Sequence, residues 1–135
     1  AAQAALESAD QSFAAAGRAA YARRARLVEQ AIADIPGLAL RRIEGAFFAF
    51  VHCGGLIGQL RPDGRAITTD TDAAEWLLES EGLAVVDGAS FGLSPYLRLS
   101  TAASDAVLRD AVERIARAVR ALRQPAAEPA QELPA

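Results

Sequence analysis

Leu108, Ala111, Val112, Ile115, Val119 and Leu122 recur at helical spacing, with Arg109, Arg114, Arg117 and Arg120 set between them. This pattern commits the stretch to an amphipathic helix, capped by Ser104 and running to about Arg123, with its arginines in water. A helix with one apolar face needs a second layer to lie on. Ala46-Phe47-Phe48-Ala49-Phe50-Val51 supplies it: an unbroken apolar, aromatic run that reads as a strand buried on both faces. The expected fold class is therefore α+β, a small mixed or antiparallel sheet covered by helices.

Other segments fill in the order. A long helix is expected from Gln11 to Asp34, capped by Ser8 or Asp10. Phe13, Tyr21, Val28, Ile32 and Ile35 fall on one side of it, with Leu27 and Ala31 widening the stripe. Ile35-Pro36-Gly37 ends it, because proline cannot donate to the helical ladder. Leu38–Leu40 reads as a short strand. From His52 to Thr69 the chain is loop-like, with a turn at Pro62-Asp63-Gly64. Asp70 or Thr71 caps a short helix to about Ser80, with Ala73, Ala74, Trp76 and Leu77 inward and Gly82 as its stop. Leu83–Val86 and Tyr96–Ser100 read as strands. Ala1–Leu6 reads as a scrap of helix, and the Pro/Ala/Glu run from Gln124 onward as a disordered tail.

Composition removes several function classes. The 135 residues fit one domain. A net charge of −3 argues against a dedicated nucleic-acid binder. No apolar run approaches the roughly 18 residues that span a bilayer, so no membrane partner is expected. A start at Ala1 without a signal-peptide layout points to a processed or excised chain, with the cytoplasm as the expected setting. All 14 basic residues are arginine, so no side-chain amine can form a Schiff base. One cysteine and one histidine cannot close a four-ligand zinc site, and no metal is expected.

Four candidate chemistries have a plain structural alternative. His52-Cys53 could be a nucleophile pair, but neighbours on a strand point to opposite faces. A Ser-His-Asp triad lacks a G-x-S-x-G elbow to present its serine. Gly54-Gly55-Leu56-Ile57-Gly58 lacks the ending of a phosphate loop and reads as a turn. Trp76, at helical spacing, belongs to the core. Arg98 is different. It sits among apolar neighbours in Tyr96-Leu97-Arg98-Leu99-Ser100, and a guanidinium in an interior or cleft needs an anion. An internal carboxylate and a ligand carboxylate are equally compatible with that spacing.

Several ordered blocks, spread from Ala1 to about Leu122, carry a family resemblance. They are Glu44-Gly45-Ala46-Phe47-Phe48-Ala49-Phe50, Gly82-Leu83-Ala84-Val85-Val86-Asp87-Gly88-Ala89-Ser90-Phe91-Gly92, Tyr96-Leu97-Arg98-Leu99-Ser100, and the last helix with Glu113-Arg114-Ile115. Together they resemble the C-terminal part of class I/II aminotransferases, pyridoxal-phosphate enzymes of fold type I. Cys53–Gly58, Pro62-Asp63-Gly64 with Thr69-Asp70, and Phe91–Tyr96 are similar to bacterial aspartate aminotransferases.

The resemblance implies that residues 1–10 end a connection to a large domain, residues 11–123 form the small domain, and residues 124–135 form the tail. It implies that Arg98 binds the substrate α-carboxylate, while the cofactor's phosphate seat and lysine lie in the large domain. The implied reaction moves an amino group between an L-amino acid, aspartate or similar, and a 2-oxo acid. The segment alone would be inactive, and the full enzyme a homodimer of amino-acid biosynthesis. This sequence departs from the pattern at Glu44, where proline is common, and at Phe48, where tyrosine is frequent. It departs again at Asp87, where proline or glutamine is usual, and at Thr101, where an aromatic often follows. None of these departures is expected to touch Arg98. Two alternatives stay open: the same domain in a carbon–sulfur lyase or an aminotransferase-like regulator, or a free-standing interaction module in which Arg98 is internally paired.

Overall fold

The computed structural model describes residues 11–125. Three helices and four strands are found among them: α1 (Ser12–Ala33), β1 (Ala39–Leu40), β2 (Phe48–His52), α2 (Asp70–Glu81), β3 (Val86–Asp87), β4 (Tyr96–Ser100) and α3 (Asp105–Ala121). Single 3-10 turns lie at Gly54–Leu56 and Ala89–Phe91. The sheet order is β1-β2-β4-β3 and every pairing is antiparallel. The α+β expectation holds. The expected helix caps Ser8 and Asp10, the helical scrap before them and the tail beyond residue 125 lie outside the described residues.

Ala49 and Val51 of β2 and Leu97 of β4 share one face of the sheet with a period of two. They join Val28 and Ile32 of α1, Leu77 of α2 and Ile115 of α3 in the core. Each buried Val, Leu or Ile side chain among them contributes roughly 1.5–3 kcal/mol by leaving water. The opposite face carries Phe48, Phe50 and His52 of β2 and Tyr96 and Arg98 of β4, all half-buried. The expected strand burial on both faces is thus corrected: helices cover one face, and aromatic rings pave the other.

Ala46 takes a positive φ of 58°, a left-handed conformation that a β-strand cannot continue through. This is why β2 begins at Phe48 and not at Ala46. The expected strand at Leu83–Val86 is also shifted. Leu83 donates its backbone N–H to Leu77 to close α2, so ladder pairing starts only at Val86, opposite Arg98. Two residues of β1 replace the three expected.

Helix α1 corrects the predicted stripe. Ala25, Val28 and Ile32 are buried, whereas Phe13 is 91% exposed and Tyr21 is exposed. Twenty-two residues make a helix of about 33 Å. A five-residue strand covers only about 17 Å, so the helix overhangs the sheet. In α3, Leu108, Val112, Ile115, Ala118 and Val119 are buried. Arg114 is half-buried rather than in water, with Nη1 on the Glu81 carbonyl at 2.8 Å. The helix stops at Ala121, and Arg123 turns back to exchange two backbone hydrogen bonds with Leu60, at 2.8 and 2.9 Å.

Helix α2 is fixed at both ends. Its cap is Thr69, in place of the expected Asp70 or Thr71. Thr69 Oγ1 accepts from the Asp72 N–H, and Asp72 Oδ2 accepts from the Thr69 N–H, a reciprocal capping box. Gly82 ends the helix with φ of 63°, as expected. Trp76 is half-buried between α2 and α3, where its indole N–H reaches the Ala118 carbonyl at 3.1 Å.

Candidate functional site

Arg98 lies at the middle of β4, with Phe50 opposite it on β2 and Val86 opposite it on β3. Pairing on both sides makes β4 an inner strand, and the period of two aims Arg98 at the aromatic face. Its guanidinium carbon stands 4.4 Å from the Phe48 ring centre and 4.3 Å from the Phe91 ring centre. Phe91 also meets Phe50 edge-on at 6.0 Å, and Phe47 leans on Phe48 at 4.6 Å. Two ring faces hold the planar cation, and among the described residues no hydrogen bond or ion pair engages its N–H groups.

No carboxylate lies within 4.0 Å of Arg98 among the described residues. The other shielded arginines are all paired. Arg24 meets Asp105, Arg61 meets Glu79, and Arg114 meets Asp110. The arginines without an ion pair at Arg18, Arg26, Arg41, Arg42, Arg109, Arg120 and Arg123 are exposed. Arg98 is therefore the single arginine among the described residues that is both withdrawn from solvent and without a carboxylate. A half-buried cation in that state favours an anion from outside.

The sequence singled out Arg98 but not its clamp. Phe48, one of the departures expected not to touch Arg98, supplies one of the two rings. Phe91 comes from the turn between β3 and β4, where no periodicity marks a functional side chain. Asp87 orders that turn: its Oδ1 accepts from the Ser90 N–H at 2.8 Å, which lowers its carboxyl pKa.

The remaining candidates separate. His52 stands on the aromatic face against Tyr96, with ring centres 5.1 Å apart. Cys53 is fully buried on the other side, and burial, reinforced by the Asp70 carboxylate, pushes its thiol up to about 12. The two residues do not form a nucleophile pair, and a neutral buried thiol is a poor nucleophile. Gly55 is a crossing point, not a phosphate loop: a Cβ there would lie 2.4 Å from the Gly37 Cα. Among the described residues no group of three or more His, Cys, Asp and Glu could hold a metal ion. No described helix is long and apolar enough to cross a membrane.

The model of the family "Aminotransferase class I and II" matches residues 1–115. The chain belongs to the class I and II aminotransferases. An aspartate aminotransferase of Rhizobium meliloti strain 1021 is 48% identical over 98 residues, which is 73% of this chain and 24% of that protein. An aspartate/prephenate aminotransferase of Cereibacter sphaeroides is 45% identical over 114 residues, 83% of this chain and 28% of that protein. The crystal structure of the R. meliloti aspartate aminotransferase superposes with a TM-score of 0.85 at 44% identity, over 88% of this chain and 30% of that one. A Thermus thermophilus aspartate aminotransferase solved with maleate gives 0.68 at 34% identity, over 80% and 25%. The chain thus spans about a quarter of the length of the curated relatives it matches.

Class I and II aminotransferases use pyridoxal phosphate. This segment's residues do not fit that group by themselves, because the sequence has no lysine to tether it.

Proposed function

We propose that residues 11–123 are the small domain of an aminotransferase and that Arg98 binds the substrate α-carboxylate. The observation that carries this reading is the clamped, carboxylate-free guanidinium on the uncovered sheet face. A fork held by two rings offers two parallel N–H groups to a carboxylate, which fixes an amino acid's orientation as well as its position. The substrates are an L-amino acid and a 2-oxo acid, with aspartate favoured by the names of the relatives. Maleate, a dicarboxylate, accompanies one of the similar structures and agrees with a carboxylate-binding site.

In this reading the cofactor's phosphate seat and lysine belong to sequence outside the segment. When bound, pyridoxal phosphate supplies the electron sink for amino-group transfer. The contribution of this chain is to bind and orient the carboxylate end of the substrate. The segment alone is inactive, and the whole enzyme acts as a cytoplasmic homodimer in amino-acid biosynthesis.

The test is transamination by the complete protein with L-aspartate and 2-oxoglutarate, for wild type and Arg98→Ala. The expected result is activity in the wild type and a large loss of kcat/KM in the variant, with the cofactor still bound. Retained kcat/KM in Arg98→Ala would remove Arg98 from the site. A complete protein with bound cofactor but no transamination of any amino acid would remove the reaction.

A further inference from the structure

Asp70 is 1% exposed, yet it is not the cap of α2; that role belongs to Thr69. Its Oδ2 reaches away from the helix and accepts from two backbone N–H groups, Ala89 at 3.1 Å and Tyr96 at 3.2 Å. These two donors stand on either side of one loop's mouth. Ala89 opens the turn that carries Phe91, and Tyr96 opens β4, two residues before Arg98.

The mouth itself is tight. Gly88 donates to the Tyr96 carbonyl at 2.6 Å, and its own carbonyl accepts from Phe91 and Leu93. A Cβ on Gly88 would lie 1.9 Å from the Leu93 carbonyl oxygen, so the two arms touch backbone to backbone. The Asp70 carboxylate therefore sets the position of both arms relative to each other. One arm ends in the Phe91 ring and the other in the Arg98 guanidinium, 4.3 Å from it. The capping box at Thr69 and Asp72 holds the helix end from which Asp70 projects, so the carboxylate itself is fixed.

Resting on the assignment of Arg98 above, we infer that Asp70 is a positioning residue for the carboxylate grip: it aligns the Phe91 ring with the Arg98 fork across the β3–β4 loop. A buried carboxylate that accepts two backbone N–H groups forms charge-assisted hydrogen bonds, stronger than their neutral equivalents. Misplacing such a fork weakens its hold on the carboxylate in the ground state and the transition state alike, a loss read in KM.

The test is a double-mutant cycle in the complete protein, with L-aspartate and 2-oxoglutarate as substrates and melting temperature recorded in parallel. Asp70→Ala is expected to raise both KM values about tenfold, with kcat changed by less than about threefold. Asp70→Asn keeps an acceptor oxygen and is expected to recover KM to within about threefold of wild type. In the Arg98→Ala background, Asp70→Ala should add less than about twofold, because the two residues act as one unit. Should Asp70→Ala fail to fold, Asp70→Glu carries the cycle: its longer reach shifts the loop mouth, and KM should rise at least about fivefold only when Arg98 is present.

Lowered melting temperature with unchanged KM in Asp70→Ala, or in Asp70→Glu if it carries the cycle, would show a purely structural role and overturn the inference. Equal KM penalties with and without Arg98 would overturn it as well. An unchanged KM in Arg98→Ala alone would overturn the Arg98 assignment, and this inference with it.

Discussion

The Phe91 ring centre lies 4.3 Å from the guanidinium carbon of Arg98, although the two residues sit in a turn and on a strand. Cation–π contacts of this kind are worth about 0.5–2 kcal/mol, the higher figure applying when water is excluded. Phe91→Leu keeps the apolar volume and removes the ring face. In the complete protein it should lower kcat/KM by about three- to tenfold, mostly through KM, as steady-state kinetics would read. An unchanged KM would show that the ring does not hold the fork.

Arg98→Lys tests the fork itself. Lysine keeps the charge but offers no planar pair of donors. Hydrogen bonds to charged groups contribute about 1.5–3 kcal/mol, so losing one of two should reduce kcat/KM by roughly ten- to a hundredfold. Arg98→Ala should lose more than Arg98→Lys. Equal losses would mean that charge plays no part.

The capping box at the start of α2 predicts an acid-side weakness. The Asp72 carboxyl is lowered to about 2, chiefly by the Thr68 hydroxyl, then the Thr68 N–H, with Thr69 adding to it. A folded-state pKa below the unfolded value of about 3.9 gives stability that is present above that value and lost as pH falls toward 2. Chemical denaturation between pH 5 and pH 2 should therefore show a decline that Asp72→Ala flattens. Thr69→Ala removes the other half of the box and should cost about 1 kcal/mol at neutral pH.

Cys53 predicts the opposite limb. Its thiol is raised to about 12, first by burial and then by the Asp70 carboxylate. Stability from keeping it neutral is present below the unfolded value of about 8.5 and is lost as pH rises toward 12. Alkylation by iodoacetamide at pH 8 should be far slower in the native protein than in denaturant. Rapid native labelling would contradict the buried, protonated thiol.

Trp76 ties α2 to α3 through the Ala118 carbonyl. Trp76→Phe keeps most of the apolar contact and leaves that carbonyl without its donor. The expected loss is about 1–3 kcal/mol in denaturant titration, without a change in KM.

Much of this architecture was legible in the sequence, and the reasons can be traced to particular residues. The α3 stripe from Leu108 to Leu122 and the stops at Pro36 and Gly82 are local signals, and they located three helices. The strands β1 and β3 have two residues each, too few to show any period, so their bounds moved. Tyr21 shares the buried side of α1 with Val28 and Ile32, whereas Phe13 stands about a quarter turn away from it, and the extent of the sheet under a helix is not written in the helix. At the site, Arg98 stood out because its neighbours are apolar. Phe48, Phe91 and Asp70 did not stand out, because their roles depend on which segments the topology brings together. Asp70 before a helix reads as a cap, and only the fold reveals that its carboxylate serves the next loop.

The two inner strands, β2 and β4, pair Phe48 with Ser100 and His52 with Tyr96 across more than forty intervening residues. Closing so long a stretch costs chain entropy before any ladder bond repays it. The sheet's centre therefore cannot zip from a hairpin. Because this long-range pairing carries the loop-closure cost, substitutions in β2 and β4 should slow folding more than substitutions in α1, as stopped-flow refolding would read.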